Sequence, residues 1–243
     1  MKILSIGNSF SVDATRYFHD VAKSAGVEIE SVNLVIGGCS LHRHFQNIRN
    51  DAPAYELQYN GQLTWLPYSI KAALLAKEWD YVTIQQVSQL SIDADTFVPY
   101  VSELVDYIKL YCPKAKILLH QTWGYRPDSN RLCEDLGYEK HSDMFADVKK
   151  AYAKVAKVID ADGIIPSGET MRRLVESGCT NTHRDEIHAS LGVGRFALAL
   201  TWYEYFTGND CENIDFSDFD VEVTPEEIRL AKNAAKGVAG MYK

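Results

Sequence analysis

Two short stretches at opposite ends of the chain carry side chains that together could perform nucleophilic acyl transfer: Gly7-Asn8-Ser9-Phe10 and Asp185-Glu186-Ile187-His188. A serine hydroxyl is a weak nucleophile until a base takes its proton. A neutral imidazole does this through one nitrogen, while a carboxylate holds the N–H of the other, fixes the tautomer and stabilises the imidazolium that forms. Asp185 and His188 are three residues apart in a polar loop, so the carboxylate can reach the ring; Asp185 is read as the orienting group and His188 as the base. Ser9, just past an apolar run and before a helical pattern, is read as the nucleophile. Taken singly, Ser9 could be a turn or N-cap serine and D-x-x-H a structural loop; it is their occurrence together that points to acyl transfer.

These residues need elements to bring them together. Short β-branched runs alternate with longer stretches of helical periodicity, which predicts an α/β fold, a flavodoxin-like three-layer α/β/α sandwich around a parallel sheet. Strands are expected at Lys2–Ile6, Ile29–Ile36, Tyr81–Gln85, Lys116–His120 and Gly163–Ile165, each too apolar for a half-exposed strand. Helices are expected at Asp13–Ala25, Tyr68–Trp79, Asp95–Tyr111, His141–Ile159, Ser190–Phe206 and Pro225–Met241. Tyr55–Tyr59 and Gln62–Leu66 flank Asn60-Gly61, the strongest two-residue hairpin signal, so a β-hairpin insertion is expected there. In such sheets ligands bind at the carboxyl ends of the strands, which is where Ser9 falls. Gly7 is expected to permit the tight strand-to-helix turn. The 243 residues show no repeat or Pro/Gly-rich linker, which predicts a single domain, and the acidic stretch from Asp210 followed by a helix reads as a C-terminal cover.

With these residues placed, the chain resembles the SGNH/GDSL hydrolase superfamily, whose first block is a G-D-S-L-like turn after strand one and whose last is D-x-x-H before the final helix. Gly7-Asn8-Ser9-Phe10 is similar to the first block, with Asn for Asp and Phe for Leu; Asp185–His188 matches the last block in full. Ile36-Gly37-Gly38 is similar to the second block, and the resemblance implies that the N–H of Gly38 joins that of Ser9 in an oxyanion hole. The third block departs: where G-x-N-D would follow strand three, the chain has Ile84-Gln85-Gln86-Val87-Ser88-Gln89. Position points to Gln89 as the replacement carboxamide donor. The GNSF start together with an I-Q-Q strand end resembles a divergent branch and points instead to Gln85. The resemblance implies a serine esterase cleaving small acyl, foremost acetyl, esters without cofactor or metal.

The loop His120–Tyr125 belongs on the same rim. Trp123 and Tyr125, with Trp65 and Tyr59 of the hairpin, are expected to line the pocket and stack on a sugar ring, suiting a carbohydrate esterase acting on an acetylated sugar. Rival readings are weaker. Cys39-x-x-His42-x-His44 and His183-x-Asp185-x-x-His188 contain zinc-type ligands, but the first lacks a fourth ligand and the second is explained by the triad. There is no G-x-G-x-x-G and no P-loop motif. A non-catalytic carbohydrate binder is compatible with the missing asparagine, and a nucleotide or phosphate binder with an anion nest at Gly7–Ser11.

Composition narrows the partners. A formal charge of -8 disfavours nucleic acid and anionic membrane surfaces. Five widely spaced cysteines without C-x-x-C suit a reducing compartment, hence a cytoplasmic setting, and residues 1–10 lack the long apolar region of a signal peptide. The oligomeric state is not encoded in any pattern found.

Overall fold

The computed structural model describes residues 1–242. Strands β1 (Lys2–Gly7), β2 (Glu30–Val35), β3 (Tyr55–Tyr59), β4 (Gln62–Tyr68), β5 (Tyr81–Ile84), β6 (Lys116–His120) and β7 (Gly163–Ile165) form one sheet in the order β4-β3-β2-β1-β5-β6-β7. The five strands from β2 to β7 by way of β1 are parallel, and β3 and β4 add an antiparallel hairpin to one edge. Helices α1 (Ser9–Thr15), α2 (Phe18–Ser24), α7 (Ser167–Glu176), α8 (Val193–Thr207) and α9 (Pro225–Ala235) bury their apolar faces on one side of the sheet. Helices α3 (Leu41–Asn50), α4 (Ile70–Ala76), α5 (Tyr100–Tyr111) and α6 (His141–Val158) cover the other. The three-layer α/β/α architecture expected from the alternation of periods is the one found.

The differences from the sequence reading have local causes. The expected helix Asp13–Ala25 starts four residues earlier, because the Asn8 side chain caps it by accepting from Phe10 N at 3.1 Å, and it divides after Thr15. The hydroxyl of Thr15 donates to Ser11 O at 2.8 Å, the i−4 back-bond that bends helices. Helix α5 begins at Tyr100 rather than Asp95, after a short 3₁₀ turn at Ala94–Thr96. Helix α7 was not anticipated: it follows Pro166, begins Ser-Gly and offers mainly Met171 and Leu174 as apolar contacts, too sparse a stripe to read in ten residues.

The Asn60-Gly61 turn is as its sequence implies, with φ of +50° and +78°, and the hairpin extends the sheet instead of standing apart from it. Between Glu56 and Gln58 the β3–β4 register shifts, and Trp65 in the resulting bulge has φ +62°. The segment after Asp210 lies over α1 and α8, where Phe216 and Phe219 pack on Tyr17 and Phe196. No helix among the described residues is long and apolar enough to cross a membrane.

Four histidines are carried inside this framework. Burial lowers His44, His120 and His183 from 6.5 to about 3 and shifts His141 the same way. An unfolded chain therefore binds protons between about pH 6.5 and about pH 3 that the folded chain refuses, so stability is complete above 6.5 and falls as the pH drops through that window. Each such histidine contributes up to about 1.4 kcal/mol per pH unit well below its unfolded value. Urea midpoints are expected to hold from pH 7.5 to about 6.5 and to fall from there to pH 5; a profile flat down to pH 5 would contradict the neutral, buried state assigned to these rings.

Candidate active site

Parallel pairing of β1 with β2 and β5 brings three loops to one edge of the sheet: the Ser9 turn, the Gly37-Gly38 turn and the Gln85–Gln89 segment. The loop after β6 and the loop before α8, which carries Asp185 and His188, complete the edge.

The two ends of the chain meet there. Ser9, partly exposed as the first residue of α1, places its Oγ 2.8 Å from His188 Nε2, and His188 Nδ1 lies 2.7 Å from Asp185 Oδ2. The loop shapes itself for this contact. Asp185 Oδ1 accepts from Ile187 N at 2.8 Å and His188 N at 2.7 Å, and Arg184 N donates to His188 O at 3.1 Å, closing the turn from behind. Partial burial pushes the Asp185 carboxyl up, but the His188 and Ile187 amides and the imidazole together outweigh it and hold the group at about 2. An ionised carboxylate only accepts, so His188 Nδ1 carries the proton, and Nε2 of the neutral ring is the acceptor for the Ser9 hydroxyl. The loop is also held from the side: Trp123 Nε1 donates to Ile187 O at 3.0 Å and Arg126 N to Glu186 O at 2.8 Å.

The glycine turn lies against the serine turn. Cys39 N donates to Ile36 O at 3.1 Å, closing a tight turn in which Gly37 and Gly38 are exposed and Gly38 has φ +63°, a conformation side-chain-bearing residues seldom adopt. Asn8 fastens this turn to the Ser9 turn: its Nδ2 donates to Cys39 O at 3.0 Å while its Oδ1 caps Phe10 N. Gly7 does not make the strand-to-helix turn by unusual dihedrals; a Cβ on it would fall 2.5 Å from Ser11 Oγ, so it is small because α1 packs close. Asn8 Oδ1 also takes up Phe10 N, one of the amides that an anion nest at Gly7–Ser11 would use.

Several expected pocket residues are placed elsewhere. Gln85 is 1% exposed and its carboxamide is committed: Nε2 donates to Asn8 Oδ1 at 2.6 Å, and Oε1 accepts from His120 Nδ1 at 2.5 Å. Its expected role as an oxyanion donor is corrected to that of an internal strut. Gln89 is exposed on a 3₁₀ turn, Ser88–Leu90. Gln86, not singled out before, accepts from Leu41 N at 3.0 Å and donates to Thr96 O at 3.0 Å, joining the start of α3 to the loop after β5.

The sugar-stacking reading of Trp123 and Tyr125 is also corrected, because both are buried, at 0% and 1% exposed. Trp123 stacks on Phe10, the residue after Ser9, with ring centroids 4.1 Å apart, and Tyr125 Oη shares a hydrogen bond with Ser88 Oγ at 3.0 Å. Trp65 and Tyr59 are exposed, at 84% and 44%, but on the edge hairpin. Of the zinc-type sets, Cys39 and His44 face inward, 3.6 Å apart, whereas His42 is exposed against Tyr100. His183 Nε2 donates to Gly124 O. Among the described residues no group of three or more His, Cys, Asp or Glu side chains could hold a metal ion.

What sequence reasoning missed is the support beneath these groups. Neutral His120 donates from Nδ1 to Gln85, so its Nε2 accepts from Ser167 Oγ at 3.0 Å, and that oxygen accepts from Trp202 Nε1 at 3.1 Å. The chain Asn8–Gln85–His120–Ser167–Trp202 runs from the Ser9 turn beneath the strand ends to α8. A run of polar residues at a strand end, Gln85-Gln86 and His120-Gln121, was the only signal of it.

Comparison with known proteins agrees with this architecture. No curated protein matches the sequence. A DUF4886 family protein from Bacteroides uniformis is similar at 33% identity and TM-score 0.89, over 97% of this chain and 93% of that one. A protein from Slackia heliotrinireducens assigned to the SGNH hydrolases is similar in structure at 24% identity and TM-score 0.60, over 84% and 97% of the two chains. A member of the lipolytic G-D-S-L family from Veillonella parvula shares the fold at 16% identity and TM-score 0.52, over 85% and 98%. The family model for DUF4886, a domain of unknown function, matches residues 2–238. The chain thus has the fold of the SGNH/GDSL hydrolases and belongs to the DUF4886 family.

Proposed function

We propose that the protein is a serine esterase that cleaves small acyl esters, with Ser9 as nucleophile, His188 as general base and then acid, and Asp185 as the group that orients the ring. The observation that carries this reading is the continuous hydrogen-bond path Ser9 Oγ–His188 Nε2, His188 Nδ1–Asp185 Oδ2, formed between groups 179 residues apart in sequence. In the proposed reaction Ser9 Oγ attacks the ester carbonyl as His188 takes its proton. The imidazolium returns that proton to the departing alcohol, and water repeats the sequence to release the acid.

The developing oxyanion is assigned to two backbone donors, the N–H of Ser9 and the N–H of Gly38. Ser9 is the first residue of α1, where the N–H has no intrahelical acceptor, and Gly38 is exposed beside it. With Gln85 committed to Asn8 and His120, Gln89 is the one of the two glutamines still free to add a third donor. A short acyl chain such as acetyl is the proposed substrate acid. An acetylated saccharide as the alcohol side rests on the exposed Trp65 and Tyr59 of the hairpin alone. Five free cysteines support a reducing, cytoplasmic setting.

On a short-chain aryl acetate, Ser9→Ala and His188→Ala are expected to lower kcat by at least ~10³-fold, as for members of a catalytic unit. Retention of activity within tenfold of the parent, or labelling by a serine-reactive phosphonate at any site other than Ser9, would remove the assignment.

Asn8 gives a second test, because its amide does what an aspartate cannot: it donates to Cys39 O and so sets the glycine turn against Ser9. Asn8→Asp, which restores the aspartate of the G-D-S-L pattern, should set a carboxylate against that carbonyl and cost about 1–3 kcal/mol in stability. It should also lower kcat at neutral pH. Unchanged urea midpoint and unchanged kcat would show that the turn is held by other means.

A further inference from the structure

Asp13 lies one helical turn beyond Ser9 on α1, is 0% exposed, and has partners far away in sequence. Arg184, the residue immediately before Asp185, places Nη1 2.7 Å and 2.9 Å from the two Asp13 carboxylate oxygens and 2.6 Å from Ala189 O. Its guanidinium therefore spans the acid–base loop from the residue that precedes it to the residue that follows it. We infer that Asp13 is a positioning residue: through Arg184 it fixes the acid–base loop at the height over α1 at which His188 meets Ser9. This role rests on the esterase reading above.

The geometry separates two kinds of restraint on that loop. Trp123 and Arg126 hold Ile187 O and Glu186 O, which ties the loop to the segment after β6. The Asp13–Arg184 pair ties it to the helix that carries the nucleophile. A displacement of about 1 Å between such groups is enough to cost on the order of 10²-fold in rate. A buried ion pair by itself is weak support for stability, because desolvation offsets most of the attraction, so the placement of this one on both halves of the site calls for a positional explanation. Asp13 also has a partner that serves as a control. Arg195 Nε donates to Asp13 Oδ1 at 2.9 Å, but its other arm goes to Asp220 Oδ2 at 3.0 Å, away from the loop.

The test compares Asp13→Asn, Arg184→Gln and Arg195→Gln in the full chain. The readouts are kcat and KM on an aryl acetate, Tm, and the low-field ¹H NMR resonance of the His188 Nδ1–H held by Asp185. Asp13→Asn and Arg184→Gln are expected to lower kcat about 10- to 100-fold with KM changed less than about threefold, and to broaden or abolish the resonance. Arg195→Gln is expected to keep both kcat and the resonance even where its Tm falls as far. Arg184→Gln leaves the Asp13–Arg195 pair in place and so serves if Asp13→Asn does not fold. A kcat that simply follows Tm across all three variants, or a resonance unchanged in the first two, overturns the inference. The resonance is readable even if the parent turns over no ester, an outcome that would instead overturn the esterase reading.

Discussion

The site depends first on how one buried carboxamide distributes its hydrogen bonds. Asn8 is 1% exposed, donates to the Cys39 carbonyl, and accepts from Phe10 N and from Gln85. Each bond fastens a different loop: the glycine turn, the start of α1, and the end of β5. In an interior that excludes water, an unmade bond of this kind is costly, so the three loops are fixed relative to one another as a unit. Ser9 follows Asn8 directly and inherits that rigidity.

Orientation of the amides propagates from this point. Cys39 O and Phe10 N decide which end of Asn8 is which; that decides the sense of Gln85, then the tautomer of His120, then the donor role of Ser167. His120 is kept neutral by burial, which the scheme requires, since a charged ring would have no acceptor at Nε2. The interior chain thus sets direction without charge, while the charge-bearing groups, Asp185 and the Asp13–Arg184 pair, contact the loop that carries the imidazole. Neutral polar groups hold the Ser9 turn, and charge-bearing groups hold the Asp185–His188 loop.

Much of this was legible in the sequence because it depends on local rules. Short apolar β-branched runs alternating with period-3.6 stretches gave the layers, Asn60-Gly61 gave its own turn, and the D-x-x-H spacing placed carboxylate and imidazole in reach of each other. What was not legible depends on which way a side chain faces at a strand end. Gln85, Trp123 and Tyr125 have the composition of pocket residues, and alternation along β5 and β6 ends just before them, so nothing in the sequence says that they turn inward. The link from Asp13 to Arg184 spans 171 residues and has no pattern at all. Sequence reasoning named the hydroxyl, imidazole and carboxylate that the fold brings together, and took part of their scaffold for a ligand surface.

The bulge in β4 has a consequence for the molecule's behaviour in company. An open sheet offers unpaired backbone at both borders, and a long straight border recruits strands from other chains. Here one border is a three-residue strand, β7, and the other is interrupted where Trp65 takes up a left-handed backbone and the pairing with β3 skips register. One border is short and the other bulged, and each feature weakens the template for continuing the sheet into a neighbouring molecule.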